Sequence, residues 1–286
     1  MFAIGTALNA LFVAVQVAFG FAAHSMALLA DAVHNLGDVL GLLLAWGAAA
    51  LARGRPTAGR TYGWGRGTIL ASLTNAVVLL LGCGAIAVEA ARRFGSPGPV
   101  GGETMVWVAA LGILVNGTTA LLFMRGRKDD LNVRGAFLHM ASDAAVSAGV
   151  VVSGLLIALT GWRWLDPVTS LAIVAAITAG TWSLLRDSAN LAMDAVPEGI
   201  EVGQVEAALR SLPGVVEVHD LHIWGLSTTE TALTAHLVQD GSGEAGSLLR
   251  LAASRVRERF RIGHATFQVE TAEIAQACEL RPDHVV

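Results

Sequence analysis

Cysteine is scarce in this sequence, and its two copies lie far apart. Among 286 residues, the cysteines are Cys83 and Cys278. They form neither the paired set of a disulfide framework nor the Cys-x-x-Cys spacing of a zinc knuckle. Charged residues are also few, at 15% of the chain, while 54% of the residues are hydrophobic. This composition is far more apolar than that of an average soluble domain and favours a membrane protein.

Long apolar stretches are the main feature that is present. A helix needs about 20 mostly apolar residues to cross a bilayer. Six stretches qualify: 1–21, 25–51, 68–91, 104–124, 136–161 and 165–185. The first lacks the basic leader of a secretory signal, so we interpret it as a membrane helix. No such stretch follows, which predicts a transmembrane domain over residues 1–187 and a water-soluble domain over residues 188–286.

Charge is distributed unevenly along the chain. Residues 1–195 hold 12 Lys and Arg against 10 Asp and Glu, whereas residues 196–286 hold 7 against 13. The acidic tail suits cations and disfavours nucleic acid as a partner, since nucleic acid calls for a basic face.

Basic residues in short loops predict the orientation, because they collect on the cytoplasmic side. Arg92 and Arg93 lie near the opposite surface, where their stems can snorkel. Most of the basic residues near the spans instead lie in two loops, between spans two and three and between spans four and five: Arg53, Arg55, Arg60, Arg66, Arg125, Arg127, Lys128 and Arg134. We therefore expect both termini in the cytoplasm and the protein in the cell (inner) membrane.

The tail alternates between helical and strand patterns. Apolar residues recur at helical spacing from Ile200 to Leu212, and Pro213-Gly214 ends the run. Two β-rich segments and a second helical pattern follow, and His264 to Thr271 gives a third strand. The order α-β-β-α-β predicts a small α+β sandwich with its helices on one face of the sheet.

The second and fifth spans share a His-x-x-x-Asp pattern. His34 with Asp38 and His139 with Asp143 are each four residues apart and therefore share a helix face. Two nitrogens and two oxygens suit tetrahedral Zn²⁺, whereas Mg²⁺ and Ca²⁺ prefer oxygen alone. Other transition metals could enter the same site.

The spacing alone is weak evidence, and the membrane setting strengthens it. His236 and Asp240 repeat the pattern in a predicted strand and its turn. Ionisable groups in a span cost about 2.5 to 3.5 kcal/mol each, so they are rare and usually functional. The alternative is that the four groups only hydrogen-bond within the helix bundle.

Other polar residues in the spans leave alternatives open. Asp31 shares a face with His34 and either supports the ligands or makes a structural hydrogen bond. We interpret His24 as an interfacial residue without a ligand role. Amides in spans one, three and four indicate either helix-to-helix hydrogen bonds or a hydrated passage: Gln16, Asn75 and Asn116.

Four segments together resemble the cation diffusion facilitator family of metal transporters. They are SMALLADAVHNLGD, RTYGWGRGTILASLTN, HMASDAAVSAGVVV and HDLHIWGLS. The resemblance implies an α-helical membrane protein with six transmembrane helices per subunit, a C-terminal α+β ferredoxin-like cytoplasmic domain and a homodimer. It also implies metal export in exchange for protons, and a longer leader than this sequence shows, either trimmed or absent.

The resemblance also implies two metal sites. His34, Asp38, His139 and Asp143 match the family's transport site, and a histidine at the first position is similar to its zinc-preferring members. In the tail, His219, His236 and Glu270 match positions where relatives bind further metal. The nearby candidates are His222, His264 and Cys278, and solvent-exposed or structural histidines are the alternative.

We therefore predict a proton-coupled Zn²⁺ efflux transporter without a prosthetic group, with Zn²⁺ as substrate and as possible regulatory ligand. A transporter preferring Cd²⁺, Co²⁺, Fe²⁺ or Mn²⁺ is an alternative. An intramembrane zinc enzyme is a rival, but such a site keeps three ligands and an open position, and no His-Glu-x-x-His motif is present. A passive channel is a further rival, although four ligands would hold the ion too long for fast conduction.

Overall fold

A computed structural model describes residues 2–123 and 131–280 of the chain. The predicted basic loop after the fourth span lies outside the described side chains: Arg125, Arg127, Lys128 and Arg134. The described residues divide into two compact units. One combines the residues through Leu43 with Thr74–Leu184, and the other combines Leu44–Leu73 with the residues from Leu185 onward. The domain boundary at residue 187 stays a prediction.

Long helices occupy the apolar part of the chain. They are α1 (Phe2–Ala22), α2 (Met26–Ala52), α3 (Arg66–Gly95), α4 (Gly102–Phe123), α5 (Leu131–Thr160) and α6 (Leu165–Ala192). By length and composition α2 to α6 can each cross a membrane, and α1 adds a shorter apolar segment, Thr6–Ala22. Large apolar side chains such as Leu81, Trp107 and Leu159 are mostly exposed, as expected for helices whose solvent is lipid. The chain is a helical membrane protein.

Glycines bring α4 and α5 close together. A Cβ on Gly102 would lie 2.7 Å from the carbonyl oxygen of Gly154, and one on Gly154 would lie 2.9 Å from the carbonyl oxygen of Gly102. Small residues allow this approach between membrane helices. A larger side chain at either position would push α5 outward, together with His139 and Asp143.

A carboxylate from another helix holds the start of α2. Asp166, in the first turn of α6, is fully buried. It accepts hydrogen bonds from the Ser25 hydroxyl at 2.6 Å and from the amides of Met26 and Ala27 at 2.8 and 3.1 Å. The first amides of a helix have no partner inside it, and negative charge is favourable at that end. Asp166 therefore fixes the helix that carries half of the candidate metal centre.

The tail forms an α+β unit in the predicted order. Its elements are α7 (Val202–Arg210), β1 (Val215–Gly225), β2 (Thr231–Gln239), α8 (Ala245–Phe260) and β3 (His264–Thr271). β2 lies in the centre of the sheet, antiparallel to β1 and parallel to β3. The helices and sheet share a core that includes Leu209, Leu237 and Val256. A short helix that the sequence analysis did not predict, α9 (Ala272–Ala277), follows β3 directly.

Candidate metal centre

The predicted transport residues come together between α2 and α5. The Nε2 atom of His34 lies 3.0 Å from Asp143 Oδ1, across the two helices. In the reverse sense, the Nε2 atom of His139 lies 3.5 Å from Asp38 Oδ2, and it is 3.7 Å from Asp143 Oδ2 on its own helix. Each imidazole therefore faces the carboxylate of the other helix, so both helices are needed to assemble the group.

These separations suit a shared metal ion. Zinc to nitrogen or oxygen bonds of about 2.0 to 2.2 Å in a tetrahedron put neighbouring ligand atoms about 3.4 Å apart. Ligand atoms of His34, Asp38 and Asp143 all lie within 4.8 Å of one another. His139 lies outside that triplet although it is close to both carboxylates, and its ring centroid is 6.3 Å from that of His34. The His139 ring would have to approach His34 to complete a tetrahedron.

Exposure differs strongly among the four side chains. Asp143 is 2% exposed and His34 is 19% exposed, whereas Asp38 is 20% and His139 45% exposed. His139 and Asp38 thus lie on the open side of the group, and Asp143 lies at its closed side. An ion arriving from the open side would meet His139 first and Asp143 last.

A buried polar network adjoins the group. The Gln16 amide donates to Asp31 Oδ2 at 2.6 Å, and the Ser147 hydroxyl lies 3.4 Å from the same oxygen. The Asn35 amide donates to Gln16 Oε1 and to the Asp31 carbonyl, both at 3.0 Å. All four side chains are buried. The network joins α1, α2 and α5, which favours the structural alternative for Asp31 and the hydrogen-bonding alternative for Gln16.

The other polar residues of the spans have different surroundings. His24 has a positive φ of 52°, and its carbonyl accepts a 2.7 Å hydrogen bond from Arg93, which suits a turn residue. Asn75 Oδ1 and Asn116 Nδ2 are buried without a hydrogen-bond partner among the described residues. The choice between helix packing and a hydrated passage stays open for these two amides.

A second cluster of potential ligands lies in the tail. His219 Nε2 is 3.0 Å from Glu270 Oε2, and His236 Nδ1 is 2.9 Å from Glu270 Oε1. The two imidazole rings lie 4.9 Å apart, nearly perpendicular to each other. Cys278 joins them, and ligand atoms of all four residues lie within 4.8 Å of one another.

The remaining tail candidates lie elsewhere. His264 packs edge-on against Tyr62, with ring centroids 5.4 Å apart. His222 contacts Asp220 at 2.9 Å. Neither belongs to the four-residue group. Of the three nearby candidates, the structure thus places Cys278 in the tail group and leaves His222 and His264 out of it. Sequence spacing alone did not distinguish them.

His236 and Asp240 repeat the His-x-x-x-Asp pattern in the tail, but Asp240 has a local structural role. Asp240 accepts a 2.8 Å hydrogen bond from the Ser242 amide in the turn after β2. Hydrogen bonds from the hydroxyl and the amide of Ser242 lower the pKa of this exposed carboxyl. Asp240 is absent from the four-residue tail group, although His236 belongs to it.

Two functional candidates escaped the sequence analysis. Asp220 lies in β1 with φ of 50°, at an irregularity of register between His219 and His222. Its Oδ2 atom is 3.4 Å from His236 Nε2. Asp166, the cap of α2, lies far from that helix in sequence. Asp220 lies within the HDLH segment, but no local signal indicates its contact with His236, and none indicates the contact of Asp166 with α2.

A helical membrane domain with a mixed His and Asp centre between two helices, followed by a small α+β domain, defines the class of integral membrane cation transporters. The chain belongs to the cation efflux family. The family model for the cation efflux transmembrane domain matches residues 2–191, and that for the cytoplasmic domain of cation efflux proteins matches residues 197–272. The protein is therefore a metal transporter and not an enzyme.

Named relatives agree with this assignment. The metal cation efflux system protein CzcD of Cupriavidus metallidurans is 34% identical over 96% of this chain and 87% of its own length. A cadmium, cobalt and zinc/H(+)-K(+) antiporter of Bacillus subtilis is 34% identical over 88% of this chain and 82% of its own length. The zinc transporter ZitB of Escherichia coli is 34% identical over 91% and 83%.

One solved structure also matches part of the chain. It is the metal-bound C-terminal domain of the CzcD transporter from Cupriavidus metallidurans, 32% identical over 25% of this chain and 99% of its own length, with a TM-score of 0.24.

Proposed function

We propose that the protein exports Zn²⁺ from the cytoplasm in exchange for protons, through a site made by His34, Asp38, His139 and Asp143. The observation that carries this proposal is the crossed pairing, in which each histidine faces the carboxylate of the other helix. A movement of α2 relative to α5 would therefore change both distances between the helices at once. Such coupling is what a carrier needs to bind an ion on one side and release it on the other.

The donor set supports zinc as the substrate. Two imidazole nitrogens and two carboxylate oxygens suit tetrahedral Zn²⁺, and the group has no sulfur donor that would favour softer ions. Co²⁺ and Cd²⁺ are accommodated by the same ligands, and relatives are named for cadmium, cobalt and zinc together. We therefore expect zinc first, with cobalt and cadmium as competing substrates.

Proton exchange follows from the chemistry of the ligands. A metal binds the deprotonated forms of histidine and aspartate, so loading the site releases protons and protonation ejects the ion. Histidine ordinarily titrates near pH 6.5, which places this competition in the physiological range. The open side of the site, at His139, receives the ion, and protons replace it after the helices move.

The setting of this transport is a bilayer, with the acidic tail on the cytoplasmic side. We infer a homodimer in the cell (inner) membrane, with the tail as the association domain. Metal bound at His219, His236 and Glu270 in that tail would tighten the dimer and regulate transport, because a ligand stabilises the state that binds it better.

Zinc flux into proteoliposomes tests the proposal. We expect uptake that depends on a proton gradient and that His34→Ala or Asp143→Ala abolishes. Asp240→Ala is the matched control, because it removes the same residue type from the same spacing outside the membrane. Uptake that is indifferent to the gradient would contradict the antiporter and support a channel. Undiminished uptake in both site variants would exclude the site.

A further inference from the structure

We propose that Cys278 supplies a thiolate ligand to the tail metal site, and that Asp220 positions His236 for metal binding. This inference rests on the tail site proposed above and adds a fourth ligand and a supporting carboxylate to it. Four donors complete a tetrahedral site, as structural zinc sites require, whereas His219, His236 and Glu270 alone leave one position open.

The distances identify the atom that each ligand uses. The Sγ atom of Cys278 lies 3.7 Å from His236 Nδ1, and that same nitrogen faces Glu270. A zinc to sulfur bond of about 2.3 Å and a zinc to nitrogen bond of about 2.0 to 2.1 Å place the two atoms about 3.6 Å apart in a tetrahedron. The observed separation therefore fits two ligands of one ion. His219 approaches the group through Nε2.

Helix α9 delivers the thiol to the site. Thr271, the last residue of β3, caps this helix, because its hydroxyl accepts a hydrogen bond from the Ile274 amide at 3.4 Å. Glu270 lies immediately before it. Ala275 anchors it, with 2% of its surface exposed. The chain then turns at Cys278, whose amide donates to the Ala275 carbonyl. The short helix thus brings Cys278 back close to Glu270, the carboxylate that lies just before the helix.

Asp220 accounts for the orientation of His236. A histidine that binds metal through one nitrogen usually donates its other N–H to a carboxylate, which fixes the tautomer and raises ligand basicity. Asp220 Oδ2 lies 3.4 Å from His236 Nε2, which leaves Nδ1 for the metal. The left-handed backbone at Asp220, φ 50°, is uncommon for a residue other than glycine, and it accompanies the local irregularity of β1.

A thiolate ligand changes the metal preference of the tail. Soft sulfur favours Cd²⁺ and Zn²⁺ over Mn²⁺ and Mg²⁺, which prefer oxygen donors. The transport group has no sulfur, so the two sites differ in selectivity. The tail would respond to thiophilic ions more strongly than the transport site does.

Cobalt spectroscopy on the full-length protein in nanodiscs tests the thiolate. Cobalt bound to a thiolate gives a ligand-to-metal charge-transfer band in the near ultraviolet, which nitrogen and oxygen ligands do not give. We expect this band in the unmodified protein and in Cys83→Ser, and its loss in Cys278→Ser. Cys278→His should bind cobalt without the band, which shows that the tail still folds. Absence of the band from the unmodified protein, or its persistence in Cys278→Ser, would overturn the ligand assignment.

Asp220→Asn tests the positioning role. Asparagine keeps the size and tolerates the left-handed backbone, but it is a weaker acceptor for the His236 N–H. We expect a cobalt affinity about 10- to 100-fold lower, a shifted charge-transfer band and an unchanged unfolding temperature of the metal-free protein. Asp240→Asn is the control and should change none of these. An unchanged affinity and band in Asp220→Asn would overturn the positioning role.

Zinc flux measured on the same preparations separates the two proposals. The cobalt band reports on the tail alone, because the transport group contains no sulfur. A normal band with no gradient-driven flux would remove the proposed transport function and leave the thiolate ligand in place. Normal flux without the band would remove the thiolate ligand and leave transport in place.

Discussion

At the scale of single residues, the two carboxylates of the transport group are not equivalent. Asp143 is almost fully buried, and its two oxygens approach both histidines, at 3.0 and 3.7 Å. Asp38 is partly exposed and approaches His139 at 3.5 Å. A shared, buried ligand contributes more to the bound state, because its negative charge lies away from water and is weakly screened.

Asp143→Asn should therefore lower zinc uptake more than Asp38→Asn. Asparagine keeps the volume and one oxygen but removes the negative charge that stabilises bound Zn²⁺. A loss of about 1.4 kcal/mol in binding already gives a tenfold loss of affinity, and we expect at least that for Asp143→Asn. Initial rates over a range of zinc concentrations measure the difference. An equal effect of both substitutions would contradict the unequal roles.

Proton competition at the site gives a second residue-scale prediction. Zinc affinity should fall as the pH is lowered through the usual range of histidine titration, because two imidazoles must lose their protons before they bind the ion. Calorimetric titrations in buffers of different ionisation enthalpy measure the protons released. Release should fall in His139→Gln, which removes one titrating ligand, and stay unchanged in His264→Gln, outside both candidate sites. Equal release in the two variants would contradict the prediction.

Site residues could be predicted from the sequence where their contacts follow from local spacing. His34 and Asp38 share a helix face by arithmetic, so their convergence could be predicted once the span was identified. The hydrogen bond between Gln16 and Asp31 could not, because it depends on how α1 packs against α2. The same is true of Asp220, whose positive φ has no signature in a strand-like sequence.

At the scale of elements, α2 depends on α6 for its first turn. Sequence reasoning would use Asp166 as favourable charge at the start of its own helix. The structure directs the carboxylate instead to Ser25 and to the first two amides of α2. This assignment required tertiary contacts between segments about 140 residues apart, which no local pattern encodes.

Asp166→Ala should destabilise the membrane domain. It leaves two buried helix amides and a hydroxyl without their acceptor, and each unsatisfied buried group costs about 1 to 3 kcal/mol. Asp166→Asn retains one acceptor oxygen and should cost less. Thermal unfolding in nanodiscs measures both. Thr118→Val serves as the control, because its hydroxyl bonds to Leu114 in its own exposed helical turn. An Asp166→Ala protein as stable as the control would contradict the capping role.

At the scale of the whole molecule, hydropathy and strand alternation accounted for the fold class and the order of elements. They did not predict α9, because six residues are too few for a periodic signal. The helix positions Cys278 near His236, so the feature missed by the pattern is also the one that extends the tail site.

Arg92 and Arg93 are the exceptions to the charge distribution that predicted the orientation, and the structure shows what they contact. Arg93 donates to Glu89 at 3.0 Å and to the His24 carbonyl at 2.7 Å, and Arg92 lies 4.0 Å from the same glutamate. Both arginines therefore have a polar partner near the end of α3. The loop after α2 instead contains several arginines, which supports its assignment to the cytoplasm.

Cysteine labelling tests this orientation. In a protein with Cys83→Ser and Cys278→Ser, Ser96→Cys marks the loop after α3 and Thr57→Cys marks the loop after α2. Both positions are exposed, so a membrane-impermeant maleimide reaches either one when it is on the same side. We expect intact cells to label Ser96→Cys, and Thr57→Cys to react only after permeabilisation. The protein without cysteines controls for background, and zinc flux confirms that each variant is folded. Labelling of Thr57→Cys in intact cells would reverse the orientation and with it the direction of export.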